Sequence, residues 1–363
     1  RDTDRSRGLG DVYKRQGYKD LRRKRGETAV RVTMDEIARI AGVSKATVSR
    51  VVNQKAEGVS DATRKRIQEL LDRMGYQASP VFSAGTNAKT KTIGLIVPDI
   101  TNPFFPRLVE AVEEIASLNG YLVLLGNTNF SSEKEDGYIS AFIAKKVDGI
   151  ILASVQSRYS NAYDLFKKYD VPYVLVDRNI RHSHYGAGVF VCNDYALFTA
   201  CEYLIRHGNT DIAFISGPAM LSTSVDRIEG YRAALTQYQI PYQEDLVKYG
   251  NYTVDSGYQA IMELYEDQIR FTAVIASNDT MAIGAMNALR KLKINVPEQV
   301  EVIGFDDIEF GKMISPALTT IQQPVREMGR KAASILLSLI NGKDPEHKVV
   351  NLDARLIVRE STR

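Results

Sequence analysis

The chain has 363 residues, 44% hydrophobic and 25% charged, with a formal net charge of +3, which fits two or three folded domains and excludes a disordered chain. No apolar run approaches the ~18 residues of a membrane span, and no secretory leader with an apolar core opens the sequence. Cys192 and Cys201 lack CxxC spacing and only four His are present, so a cytoplasmic protein without metal, disulfide framework or cofactor is expected.

Charge is spread unevenly along the chain. Residues 1–91 hold 21 Lys and Arg against 11 Asp and Glu, whereas residues 92–363 hold 26 against 33. A basic arm on an acidic body suits a polyanionic partner. Part of that excess, 10 against 4, lies in residues 1–26, which show no apolar period. Arg1 to Gln16 resemble vector or adapter read-through, so residues 1–30 are expected to be a non-native or disordered leader.

The first ordered element opens at Thr33-Met34-Asp35-Glu36, whose T-x-x-E spacing is that of a capping box. Ile37, Ala38 and Ala41 give the helix an apolar stripe, and Gly42 breaks it. Ser44 can cap a second helix over 45–52, which makes a helix-turn-helix. A third helix is capped by Ser60, buries Ile67, Leu70, Leu71 and Met74, and ends at Gly75. With Val48 facing this small core, Lys45, Ala46, Ser49 and Arg50 share the solvent face of the second helix. Such a face fits the major groove, where Lys or Arg meets guanine and an Ala methyl meets thymine. Ser44, Thr47 and Asn53 at the helix ends suit phosphates. A solvated basic face is the alternative for Lys45 and Arg50 taken alone.

From Lys91 onward, short apolar runs alternate with amphipathic segments. Strands are expected at 92–98, 121–126, 149–153 and 172–176, with helices at 103–118, 133–146 and 160–169. After Asp194 come helices at 194–207, 223–238, 255–268 and 279–292, with strands at 211–215, 246–249, 272–276 and 299–305. A strand near 318–321, a helix over 324–341 and short strands at 348–350 and 354–358 close the chain. This is an α/β pattern of parallel sheets with both faces covered, repeated coarsely to give two similar lobes. Ligands in such sheets bind beyond the carboxyl ends of the strands. The polar residues there are Asn102 with Phe104 and Phe105, Asp177 and Arg178, Asn278 and Asp279, Asp306 and Asp307, and Gln322 and Gln323. Arg227 lies on the helix after 211–215, and Tyr252 follows 246–249. Each has a structural alternative: Asn102 and Asn278 as helix N-caps, Asp177 with Arg178 as a surface pair, Arg227 paired with Asp226 or Glu229, Phe104 and Phe105 as core.

The string VTMDEIARIAGVSKATVSRVVN, Val32 to Asn53, resembles the headpiece of the LacI/GalR family of bacterial transcription regulators. The stretches IVPDITNPFF, DGIILAS, RIEGYRAAL, SNDTMAIGAMNAL, GFDD and PALTTIQQP resemble that family's effector domain, a periplasmic binding protein type I fold, and the resemblance runs from about Arg31 to Arg363. It implies a helix-turn-helix DNA-binding domain over 31–76, a hinge over 77–91 and a two-lobed effector-binding and dimerisation domain over 92–363. It places base reading on Lys45, Ala46 and Arg50. It places effector binding on Asn102, Phe105, Asp177, Arg178, Arg227, Tyr252, Asn278, Asp306 and Gln323, a set close to that by which ribose-binding members hold a pentose. The expected function is repression of a carbohydrate operon by a homodimer on pseudo-palindromic operator DNA, switched by a small sugar. A purine effector and a sugar-binding protein with an impaired DNA arm are the alternatives.

Two departures from the family pattern stand out. A gapless alignment puts Gly85 where the hinge helix ends in a Leu that wedges into the minor groove, and Pro80 and Phe82 occupy other hinge positions. No helical tail follows Arg355, so the tetramer that some members form through one is not expected. Catalysis is not expected either. There is no GxGxxG after a strand, no Walker A and no HExxH, and no nucleophile or His is placed beside Asp306 and Asp307.

Overall fold

A computed structural model describes residues 33–52, 58–74, 89–153, 162–179 and 186–363. The expected leader, the hinge positions from Gln77 to Ala88, Gly75 and Asn53 lie outside the described residues. The chain divides into two compact units, meeting between Ala88 and Lys89.

In the first unit, α1 (Met34–Ala41) begins at Thr33, whose side chain accepts the amide of Glu36, and ends at Gly42 in the left-handed region with φ 62°. That conformation suits a residue without a Cβ. Helix α2 (Lys45–Val52) follows after Ser44, and α3 (Asp61–Arg73) is capped by Ser60. Ile37, Val48 and Ile67 are wholly buried at the centre of the three helices. Each such side chain contributes about 1.5–3 kcal/mol by leaving water.

The second unit holds two six-stranded sheets. Lobe 1 contains β1 (Thr92–Val97), β2 (Leu122–Asn127), β3 (Gly149–Leu152), β4 (Tyr173–Val176) and β5 (Gly188–Val191). Its helices are α4 (Phe104–Leu118), α5 (Ser132–Ala144) and α6 (Ala162–Tyr169). The chain then crosses to lobe 2, with α7 (Asn193–Arg206), β6 (Ile212–Ser216), α8 (Ser222–Gln237), β7 (Val247–Tyr249), α9 (Val254–Glu266) and β8 (Ala273–Ala276). There follow α10 (Asp279–Lys291), β9 (Glu301–Phe305), α11 (Glu309–Met313) and β10 (Thr319–Gln322). It returns to lobe 1 as α12 (Val325–Ile340) and β11 (Val349–Leu352), and ends on lobe 2 as β12 (Arg355–Ile357).

The strand orders are β2-β1-β3-β4-β5-β11 and β7-β6-β8-β9-β10-β12, the same winding twice. All pairs are parallel except β10 with β12. Most inner strands are fully buried, as strands covered by helices on both faces should be. Edge strand β2 departs from the expected burial: Leu122, Leu124 and Leu125 are exposed, beside Leu118 at the end of α4. Strand β5 falls between 176 and 194, where the sequence predicts neither helix nor strand, and Gly188 starts it. Three crossovers join the lobes, at 191–193, 322–325 and 352–355. Among the described residues no helix is long and apolar enough to cross a membrane, and no group of His, Cys, Asp and Glu could hold a metal ion.

Candidate functional site

Two sites emerge, one in each unit. On α2, Val48 and Val51 are buried, which turns Lys45, Ala46 and Arg50 to solvent and leaves Thr47 and Ser49 half-buried. Ser44 Oγ accepts the Thr47 amide at 3.1 Å and lies 2.9 Å from Thr47 Oγ1, so the two hydroxyls brace the start of the helix. Lys45 pairs with Asp35 on α1 at 2.7 Å, with both side chains largely exposed. Such a pair is readily exchanged for another anion.

The second site lies between the lobes. All nine expected effector residues line one narrow cavity, joined by Phe104 and Thr223. The converging turns follow β1, β4, β6, β7, β8, β9 and β10, so both sheets present their carboxyl ends to it. Asp177, Tyr252, Asp306 and Asp307 carry positive φ angles of 67°, 67°, 117° and 57°. Non-glycine residues held there are strained, and the strain sits where the chain turns sharply off a strand to aim a side chain inward.

Burial governs the charges. Asp177, Arg178, Arg227 and Asp306 are 8%, 2%, 3% and 6% exposed, so neither the surface pair nor the exposed-helix alternative describes them. Arg227 donates through Nε to Asn193 Oδ1 at 2.8 Å and through Nη1 to the Ser277 carbonyl, and its guanidinium lies 3.7 Å from the Phe305 ring centre. Arg178 sits between the rings of Phe105 and Phe130, 5.9 and 5.3 Å from their centres. Its Nε is 3.7 Å from Asp177 Oδ2, too far for a hydrogen bond, and its buried Nε and Nη1 have no hydrogen-bond partner. Gln323 donates to Asp306 Oδ1 at 2.7 Å while its own buried Oε1 is also unpartnered. Unsatisfied buried donors and acceptors of this kind cost stability unless a ligand meets them.

Burial pushes the Asp177 carboxyl above the ordinary range, against the pull of Arg178 and Arg227. The Asp306 carboxyl is pushed up to about 7 by burial, and the nearby Asp177 adds to this, while Arg227, the Gln323 hydrogen bond and Arg107 oppose it. Asp279 is also held well above the ordinary range, by burial first and by Asp306 next, despite its bonds from Thr320 and the Ile308 amide. Burial would raise Asp307 too, but hydrogen bonds from Arg359 and Gln322 outweigh it and hold that carboxyl below the usual value.

Aromatic rings and amides complete the walls. Tyr252 bonds through its hydroxyl to Ser224 at 3.0 Å, and its carbonyl accepts from Asn278 Nδ2 and Thr280 Oγ1. A Cβ at Gly217 would collide with the Tyr252 hydroxyl, so glycine there gives the ring its seat. Asn278 is the N-cap of α10, accepting the Met281 amide, so its amide group is largely committed to holding the wall. Asn102 accepts the Phe104 amide at 3.1 Å. Phe104 and Phe105 pack edge to face in the lobe 1 core and also reach the cavity. Sequence reasoning missed Thr223, whose signal is a Ser-Thr-Ser run after a strand, and Phe130, which stacks on Tyr252 and carried no signal.

Comparison with known proteins bears on both sites. Residues 33–79 match the bacterial regulatory proteins of the lacI family, and residues 201–362 match a periplasmic binding protein-like domain. The catabolite control protein A of Priestia megaterium is 34% identical over 333 residues, 92% of this chain and 99% of that protein. A solved complex of the transcriptional regulator CelR with cellobiose superposes with a TM-score of 0.71 at 32% identity, covering 91% of this chain and all of that one. The lac repressor dimer bound to operator and the anti-inducer ONPF gives a TM-score of 0.72 at 27% identity, covering 91% and 98%.

Proposed function

The chain belongs to the lacI family of bacterial regulatory proteins, and we propose that it represses a carbohydrate-utilisation operon under the control of a small sugar held between its lobes. It is a DNA-binding transcriptional regulator and not an enzyme. The observation that carries the sugar reading is the pairing of buried, unpartnered donors on Arg178 with the Asp177 and Asp306 carboxyls in one small cavity. Vicinal hydroxyls donate to carboxylates and accept from guanidinium groups, while Phe105 and Tyr252 cover the C–H faces of a ring.

In this reading Lys45, Ala46 and Arg50 meet base edges while Ser44, Thr47, Ser49 and Asn53 meet backbone or neighbouring positions. Two copies read the halves of a pseudo-palindrome. Exposed Leu122, Leu124 and Leu125 on lobe 1, and Phe310 and Met313 on lobe 2, offer apolar surface for that dimer. A sugar that touches both lobes favours one lobe arrangement, and it alters operator affinity only by its differential affinity for the two arrangements.

The test is a thermal-shift screen of D-ribose, other pentoses, hexoses and cellobiose against the chain and its Arg227→Ala variant. A ligand at a hundred times its Kd adds about 2.7 kcal/mol of stability. One monosaccharide is expected to raise the melting temperature of the parent chain and not of the variant. No shift with any sugar, or an equal shift in both proteins, contradicts the reading.

A further inference from the structure

Among the described residues, Arg107 bridges the lobes from outside the cavity. Arg107 lies on α4 just beyond Phe104 and Phe105, and its guanidinium reaches across to lobe 2. Nη1 donates to the main-chain carbonyl of Asp307 at 2.8 Å, and Nη2 to Glu309 Oε2 at 3.3 Å. The turn it grips is the strained one, with φ of 117° at Asp306 and 57° at Asp307, and it carries the Asp306 carboxyl into the cavity. Two neutral contacts also span the lobes: the Asn179 amide donates to Ser222 Oγ at 3.2 Å, and Phe130 stacks on Tyr252 with centres 6.4 Å apart. Of these three, only the arginine brings a charge to a main-chain acceptor, and charge-assisted bonds are the stronger and more directional.

We infer that Arg107 is a positioning residue of the cavity: it clasps the Asp306–Asp307 turn, bridges the two lobes and fixes where Asp306 faces a ligand. The consequence for the effector rests on the sugar reading; the clasp itself does not. By favouring the lobe arrangement in which the cavity residues converge, the clasp raises the fraction of molecules already shaped to hold a ligand, and apparent affinity scales with that fraction.

The clasp also acts through charge. The groups facing Asp306 are Arg227 from α8, Asp177 after β4, Gln323 after β10, Asp279 at the head of α10, and Arg107 from α4. Arg227 and Arg107 draw its carboxyl down against burial. Removing Arg107 therefore moves the titration of Asp306 upward from about 7. Because that carboxyl is raised in the folded chain, its contribution to stability is present in acid and is lost as pH rises through its folded value. Without Arg107 the loss extends to higher pH.

The experiment is hydrogen–deuterium exchange on the full, effector-free chain, with Arg107→Ala, Arg107→Lys and Glu309→Gln, together with melting temperature against pH. For Arg107→Ala, amides at 177–179 and 306–309 are expected to exchange roughly tenfold faster, while β11 and the three helices of the first unit are unchanged. Arg107→Lys should restore part of the protection and the position of the pH profile, since an ammonium keeps the charge but not the fork. Glu309→Gln should stay close to the parent, because the carbonyl bond survives. Exchange within twofold of the parent for Arg107→Ala, acceleration spread evenly over both lobes, or a melting temperature lowered equally at every pH would overturn the inference. No sugar enters the experiment, so its outcome is separate from that of the sugar screen.

Discussion

Arginines serve both sites of this chain, and their surroundings differ completely. Arg50 stands in solvent on α2, whereas Arg178 and Arg227 are 2% and 3% exposed among carboxyls and aromatic rings. An exposed guanidinium costs the fold almost nothing and is free to meet a base. A buried one must be held from several sides, and Arg227 is held by Asn193, the Ser277 carbonyl and the face of Phe305. One residue type is thus available to a partner when exposed and committed to the groups around it when buried. Removal should separate the two cases.

The largest effect is expected for Arg227→Ala. It leaves Asp177 and Asp306 with one fewer cation, and breaking a buried charge network costs about 3–5 kcal/mol. Urea unfolding should show that loss together with a lost sugar response; a cost under ~0.5 kcal/mol, as for an ordinary surface change, would erase the contrast with Arg50. Arg50→Ala should weaken operator binding by about 1–3 kcal/mol in a gel-shift titration at fixed salt, with unfolding unchanged.

Asp306→Asn sharpens the comparison through pH. The raised carboxyl makes the folded chain lose stability as pH climbs from the ordinary carboxylate range through about 7. The amide removes that loss, so the variant should melt higher than the parent at pH 8 and show no such gain at pH 4. An identical difference at both pH values would mean that the carboxyl is not displaced. The smallest effect belongs to the surface pair. Asp35→Ala should change stability by no more than ~1 kcal/mol, since both partners of the Lys45 ion pair are largely exposed. A larger loss by thermal melting would show α2 to be held by its charge as well as by its core.

What could be read from the sequence follows the same division. The solvent face of α2 depends on residues within one helix, and the Thr33 cap, the Gly42 stop and the Ser60 cap all stand where local chemistry put them. The cavity draws on turns more than 200 residues apart. The strand-end rule and the family resemblance named residues that the fold brings together, and the N-cap alternative for Asn278 holds alongside its place in the wall. Strand β5 was hidden because it is four residues long and opens on a glycine, too short a pattern to mark a strand. Phe130 was hidden because nothing marks a loop aromatic as the partner of Tyr252. Arg107 was hidden because its acceptor is a main-chain carbonyl, which leaves no trace in side-chain pattern.

The central claim is that α2 reads a specific operator. Selection from a randomised duplex pool at physiological salt, run on the parent chain and on Arg50→Ala, tests it most directly. An enriched pseudo-palindrome is expected for the parent chain, with relaxed preference at one symmetric pair of positions for the variant. Weak, salt-sensitive binding without sequence preference in the parent, or the same enriched site in both proteins, would contradict it.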